Sequence, residues 1–131
     1  MPVIVGFVTT REGRAALDAA VAEAGNRRSR LVVVNTTTGA ATADNRYADE
    51  GQIAELRAEL DATGLDYEVV HSVERKDGAE VLVDLAAETN AELIVIGIRR
   101  RTPVGKLILG SQAQRILLEA ECPVLAVKAP R

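Results

Sequence analysis

What most limits the fold of this chain is an alternation of two periods. Five short apolar runs, "VIVGFV" (3–8), "RLVVVNT" (30–36), "DYEVVHSV" (66–73), "ELIVIG" (92–97) and "PVLAVK" (123–128), are separated by segments whose apolar residues recur at helical spacing. Four of the runs are nearly continuous in Val, Ile and Leu, which suits strands buried on both faces of a parallel sheet. In the third, Tyr67, Val69 and His71 alternate with Glu68, Val70 and Ser72, which predicts a strand nearer an edge. Ala79, Leu82, Val83 and Ala86 fall at i, i+3, i+4 and i+7, as do Ala113, Ile116, Leu117 and Ala120, and each set predicts one apolar helix stripe. Residues 11–25, "REGRAALDAAVAEAG", read as an alanine-rich helix that Gly25 can stop, and Ile53, Leu56 and Leu60 mark another that Gly64 can terminate. The predicted order is βαβαβαβαβ.

Strands alternating with helices imply right-handed crossovers and a parallel sheet covered on both faces. Ligands of such open sheets bind beyond the carboxyl ends of the strands, where the winding reverses. This rule selects Val8 to Thr10, Thr36 to Thr38, and Gly97 onward. The small, polar stretch from Thr37 to Asp49, "TTGAATADNRYAD", reads as a mobile loop beside that crevice.

The 131 residues suit one domain, residues 1–131, and 47% apolar content supplies a core. Aromatics are only 2%, too few for a base-stacking platform, and the net charge of −3 gives no general grip on nucleic acid or an anionic membrane. With one cysteine, no leader-like opening and no apolar run of membrane length, the expected setting is the cytoplasm.

The most informative stretch is "GIRRRTPVGKLILGS", Gly97 to Ser111. It is no P-loop: Gly105-Lys106 is followed by Leu107, and Arg100 stands where the leading glycine would be. The first strand is not followed by GxGxxG either. What remains is Gly110-Ser111 at a helix start, with Ser111 as the expected N-cap and the amides of Ser111, Gln112 and Ala113 as an anion site. Gly97 would let a ligand approach the backbone closely. Both features also read as plain capping and turn chemistry, because every helix has an N-terminus.

At these residues the chain resembles the universal stress proteins, whose carboxyl-terminal half carries Gly, two residues, Gly, nine residues, then Gly followed by Ser or Thr. Here Gly97 is followed by Ile98 and Arg99, then Arg100 at the second glycine position, nine residues, and Gly110-Ser111. "ILLEAECPVLAVK" matches the family's closing helix, Cys-Pro and final strand. The resemblance implies a flavodoxin-like, doubly wound α/β fold of the adenine nucleotide alpha hydrolase-like kind, with a five-stranded parallel sheet and helices on both faces. It also implies a homodimer joined through the last strand, residues 123–128, and ATP or AMP as ligand. Carried over, phosphates meet Gly97, Arg99, Arg100, Gly110, Ser111 and Gln112. The nucleoside lies by Gly6, Phe7 and Val8, with the adenine near Asn35 and Thr36.

Two positions depart from that pattern. Val8 stands where the family has an aspartate, and Arg100 replaces a glycine, although a guanidinium can bind phosphate bidentately. Arg101 reads as solvated. The remaining candidates read as structural: His71 as a half-buried strand residue, Cys122 as a small buried one, and Glu55, Glu59 and Asp61 as the wet face of a helix. No nucleophile has a visible base partner and no metal spacing is present, so a binding protein of stress physiology is expected rather than an enzyme. A nucleotide-free interaction module of the same fold is the alternative.

Overall fold

The computed structural model describes residues 1–38, 48–74, 78–98 and 110–130. The elements follow the predicted order: β1 (Val3–Gly6), α1 (Arg11–Arg27), β2 (Leu31–Thr38), α2 (Glu50–Thr63), β3 (Tyr67–Glu74), α3 (Gly78–Thr89), β4 (Leu93–Ile98), α4 (Ser111–Glu119) and β5 (Val124–Lys128). They form a five-stranded parallel sheet in the order β3-β2-β1-β4-β5. This is the flavodoxin-like, doubly wound arrangement, and its winding reverses between β1 and β4.

The near-continuous apolar runs follow from burial on both sides. Val3, Val5, Leu31, Val33, Leu93 and Val95 meet α1 and α2 on one face. Ile4, Val32, Val34, Ile94 and Ile96 meet α3 and α4 on the other. Alternate residues of one strand thus serve two cores, and each fully buried Val, Leu or Ile contributes about 1.5–3 kcal/mol. α1 offers the sheet Gly13, Ala16, Leu17, Ala20 and Ala24, mostly small residues, so it lies close.

The third run is an edge strand, as its alternation predicts. β5, expected to be buried on both faces, is not: Leu125 is 39% exposed and Ala126 is exposed. It is the other edge and, among the described residues, pairs only with β4. The α4 stripe is also narrower than predicted. Ile116 is buried, but Leu117 is 40% exposed and Ala120 is the C-cap, past the last helical residue.

Helix ends are set by specific caps. α2 opens with a reciprocal capping box between Asp49 and Gln52 and closes at Gly64, whose φ of 75° is left-handed, as expected. Gly25 does not stop α1. The helix runs on to Arg27, and Arg28 takes the left-handed conformation with φ 55°. The Ser29 and Arg28 amides donate to the Ala24 and Gly25 carbonyls at 2.9 and 3.3 Å, the paired bonds of a Schellman motif. Such a cap needs a left-handed residue after the last helical one, and Gly25 stands too early to supply it. Arg28→Gly is therefore expected to stabilise the fold by about 1 kcal/mol, because glycine removes the Cβ cost of the left-handed region. Urea denaturation reads this directly, and a variant no more stable than wild type would refute it.

One inter-helix clip joins α1 to α2: the Arg14 guanidinium donates to both carboxylate oxygens of Glu59, at 3.1 and 2.6 Å. Both side chains are half exposed, so the pair contributes about 1 kcal/mol at most. Tyr67 donates to the Asp61 carboxylate at 2.6 Å, and this bond holds the phenol pKa above its usual value.

Candidate functional site

The switch point brings together the ends of β1 and β4, with α4 following β4 in the chain. From β1 the chain continues through Phe7, whose amide donates to the Val34 carbonyl at 2.9 Å and so stays docked on β2. Val8 and Thr9 are half-buried. Thr10 N-caps α1, its hydroxyl accepting from the Gly13 amide at 3.1 Å. The first loop is thus tied to the first turn of α1.

Two glycines set how closely that turn can sit. A Cβ at Gly13 would fall on the Val8 carbonyl, and one at Gly97 on the Glu12 carbonyl, both far inside the 3.0 Å that real Cβ atoms respect. Gly97 was expected to leave room for a ligand. The space its missing Cβ leaves is instead filled by backbone of α1, and the glycine's first role is to admit that helix. Gly6 differs, since a Cβ there would meet side chains rather than backbone, Leu82 at 2.9 Å and Ile96 at 4.0 Å.

At α4 the expected serine cap is replaced. Gly110 is the N-cap, with no side-chain capping bond, and Ser111 is the first helical residue. The first intrahelical bond runs from the Gln114 amide to the Gly110 carbonyl at 3.0 Å. The amides of Ser111, Gln112 and Ala113 precede it, so the anion-site geometry rests on backbone dipoles beside an exposed Gly110 and an exposed Gln112. Arg99, Arg100 and Arg101 lie outside the described residues, as do 39–47 of the polar loop. The ends of that loop are structural: Thr37 and Thr38 belong to β2, Ala48 is buried and Asp49 caps α2. Thr36 likewise lies within β2, which pairs with β3 as far as Thr38↔Glu74.

Asn35 is 1% exposed, and both ends of its side-chain amide are engaged within the chain. Its Nδ2 donates to the Phe7 carbonyl at 2.8 Å, and its Oδ1 accepts from the Ala48 amide at 3.0 Å. His71, half-buried on β3, sets its Nε2 2.7 Å from the Ala48 carbonyl. Cys122 is half-buried, and burial raises its thiol pKa, the opposite of what a reactive thiolate needs. Glu59 and Asp61 are exposed and engaged with Arg14 and Tyr67, and Glu55 is exposed. Sequence reasoning missed Gly13 and Ala48. The available signal for Gly13 was a glycine in the first turn of an alanine-rich helix, where propensity disfavours it; Ala48 carried none.

The family model described as the universal stress protein family matches residues 1–128. The chain belongs to the universal stress protein family. It is 44% identical over 126 residues to a universal stress protein of Mycolicibacterium smegmatis, covering 96% of each chain. A universal stress protein structure from Archaeoglobus fulgidus superposes with a TM-score of 0.79 at 31% identity, covering 98% of both chains. A second from that organism, in complex with dAMP, gives 0.66 at 26% identity and again covers 98% of both. The universal stress protein fold and the reversal of winding between β1 and β4 thus occur here together. Among the described residues no helix is long and apolar enough to cross a membrane.

Proposed function

We propose that this universal stress protein is a cytoplasmic regulator that binds an adenine nucleotide at the β1/β4 switch point and acts by binding rather than catalysis. One observation carries the reading: an exposed α4 N-terminus, with amides preceding its first helical bond, follows β4 at the point of sheet reversal. The relative solved with dAMP supports it. In this reading the backbone amides of Gly110, Ser111 and Gln112 and the Ser111 hydroxyl hold phosphate, Arg99 and Arg100 add charge, and the end of β1 from Gly6 to Val8 borders the nucleoside.

Heat denaturation of the purified protein is expected to release AMP or ATP. Titration calorimetry is expected to show ATP and AMP binding, weakened about fivefold in Ser111→Ala by loss of one hydroxyl hydrogen bond. No released nucleotide and no heat at millimolar ATP, AMP or cyclic AMP would sink the proposal. The nucleotide-free interaction module is favoured by Val8, which offers no carboxylate to a sugar, and by the filled space beside Gly97.

We also propose that two copies pair through β5. An apolar edge strand with Leu125 39% exposed is an unpaired template that a second copy would cover, and Leu118 on α4 is 85% exposed. Light scattering at tens of micromolar should give twice the monomer mass, and Leu125→Asp should halve it.

A further inference from the structure

The α1/α2 face of the sheet is apolar until it reaches the carboxyl end of the strands. Cross-strand pairs along it run Leu31↔Tyr67, Val33↔Val69 and then Asn35↔His71. At that last step an apolar pair gives way to a polar one, and both of its members turn to the same residue. Ala48, fully buried, has its N–H held by Asn35 and its C=O held by His71. The other end of the Asn35 amide holds the Phe7 carbonyl. A continuous hydrogen-bonded chain therefore runs from the end of β1, through β2, to the residue before the N-cap of α2, and on to the edge strand β3.

The chemistry fixes the direction of each bond. A carbonyl only accepts, so His71 must carry its proton on Nε2, as in the Nε2–H tautomer and in the imidazolium alike. Asn35 must present its amide nitrogen to Phe7 and its oxygen to Ala48, an arrangement that an acceptor-only carboxylate could not reproduce at the Phe7 end. An Ala48 displaced from this clasp would leave a buried N–H and a buried C=O without their partners.

We infer that Asn35 and His71 are positioning residues: they fix Ala48 and the end of β1 relative to one another, and so set the wall of the crevice that receives the nucleoside. This rests on the nucleotide reading above and gives Asn35 a role other than direct contact with the base. The phosphate end, on α4, lies apart from the clasp.

The test is calorimetric titration of ATP and of AMP into wild type, His71→Leu and His71→Gln, at a temperature where circular dichroism shows all three folded. His71→Leu removes the donor to Ala48 and should weaken both nucleotides by the same factor, about fivefold or more. Equal loss marks the shared nucleoside end; a phosphate defect would weaken ATP more than AMP. His71→Gln, which offers an amide N–H to the same carbonyl, should recover affinity to within about twofold, a rescue that loss of one hydrogen bond of typical net worth permits. Wild-type affinity in His71→Leu, or no recovery in His71→Gln, would overturn the clasp while leaving nucleotide binding intact. No binding by wild type would overturn both readings.

Discussion

Gly13→Ala is expected to destabilise the protein by about 3 kcal/mol or more, a large share of the 5–15 kcal/mol that holds a typical domain together. The added methyl would overlap the Val8 carbonyl, with the Val8 N and C atoms at 2.8 Å. All three are backbone atoms, which cannot rotate aside, so either the β1–α1 loop or the first turn of α1 must move. Moving the turn also disturbs the Thr10 cap and the approach of Glu12 to Gly97. Gly97→Ala should therefore show a comparable loss, because its methyl would strike the Glu12 carbonyl from the other side. The same helix holds its own control. Gly25 has nothing within 4 Å of the added Cβ, so Gly25→Ala should stabilise by about 0.5–1 kcal/mol through helix propensity. Urea denaturation of the three variants decides the matter; Gly13→Ala and Gly25→Ala shifting stability in the same direction would contradict it.

The second large effect lies at Asn35. Asn35→Ala should cost about 3 kcal/mol, since it leaves the Phe7 carbonyl and the buried Ala48 amide each without a hydrogen bond at about 1–3 kcal/mol apiece. Asn35→Asp separates charge from shape. As a neutral acid the new carboxyl can donate to Phe7 and accept from Ala48, as the amide does. Ionised, it faces one carbonyl with another acceptor in a site where the native residue is 1% exposed. Burial and the lost donor raise its folded-state pKa above the unfolded value of about 3.9. The sign follows: the variant lies closest to wild type below that unfolded value and loses stability as pH rises through the folded one. Thermal melts of wild type and variant from about pH 4 to pH 8 should show the gap widening with pH. A gap that narrows would overturn the assignment of the Asn35 amide.

Much of the fold was legible because its signals are local. The switch between strand-like runs and helical spacing gives the element order directly. β3 announced itself as an edge by alternation, since a strand with one solvated side cannot be apolar throughout. β5 misled for the converse reason: Val124, Leu125 and Val127 look like a central strand, yet among the described residues β5 stands at the edge of the sheet, beyond β4. At α1, Gly25 looked like a stop, but the Schellman bonds needed their left-handed residue at Arg28.

The candidate site divides in the same way. Its position at the sheet reversal, Gly110-Ser111 at a helix start and the spacing from Gly97 were readable from the chain alone, because turns and helix starts are written in adjacent residues. The sequence by itself determined the order of elements, the parallel sheet and the family. Only the tertiary structure decided that Gly13 and Gly97 are spacers for α1, and that Asn35 and His71 grip one alanine. Those roles depend on contacts between residues remote in the chain, and neither hydrophobic period nor motif spacing records which backbone will come to lie against which glycine or amide.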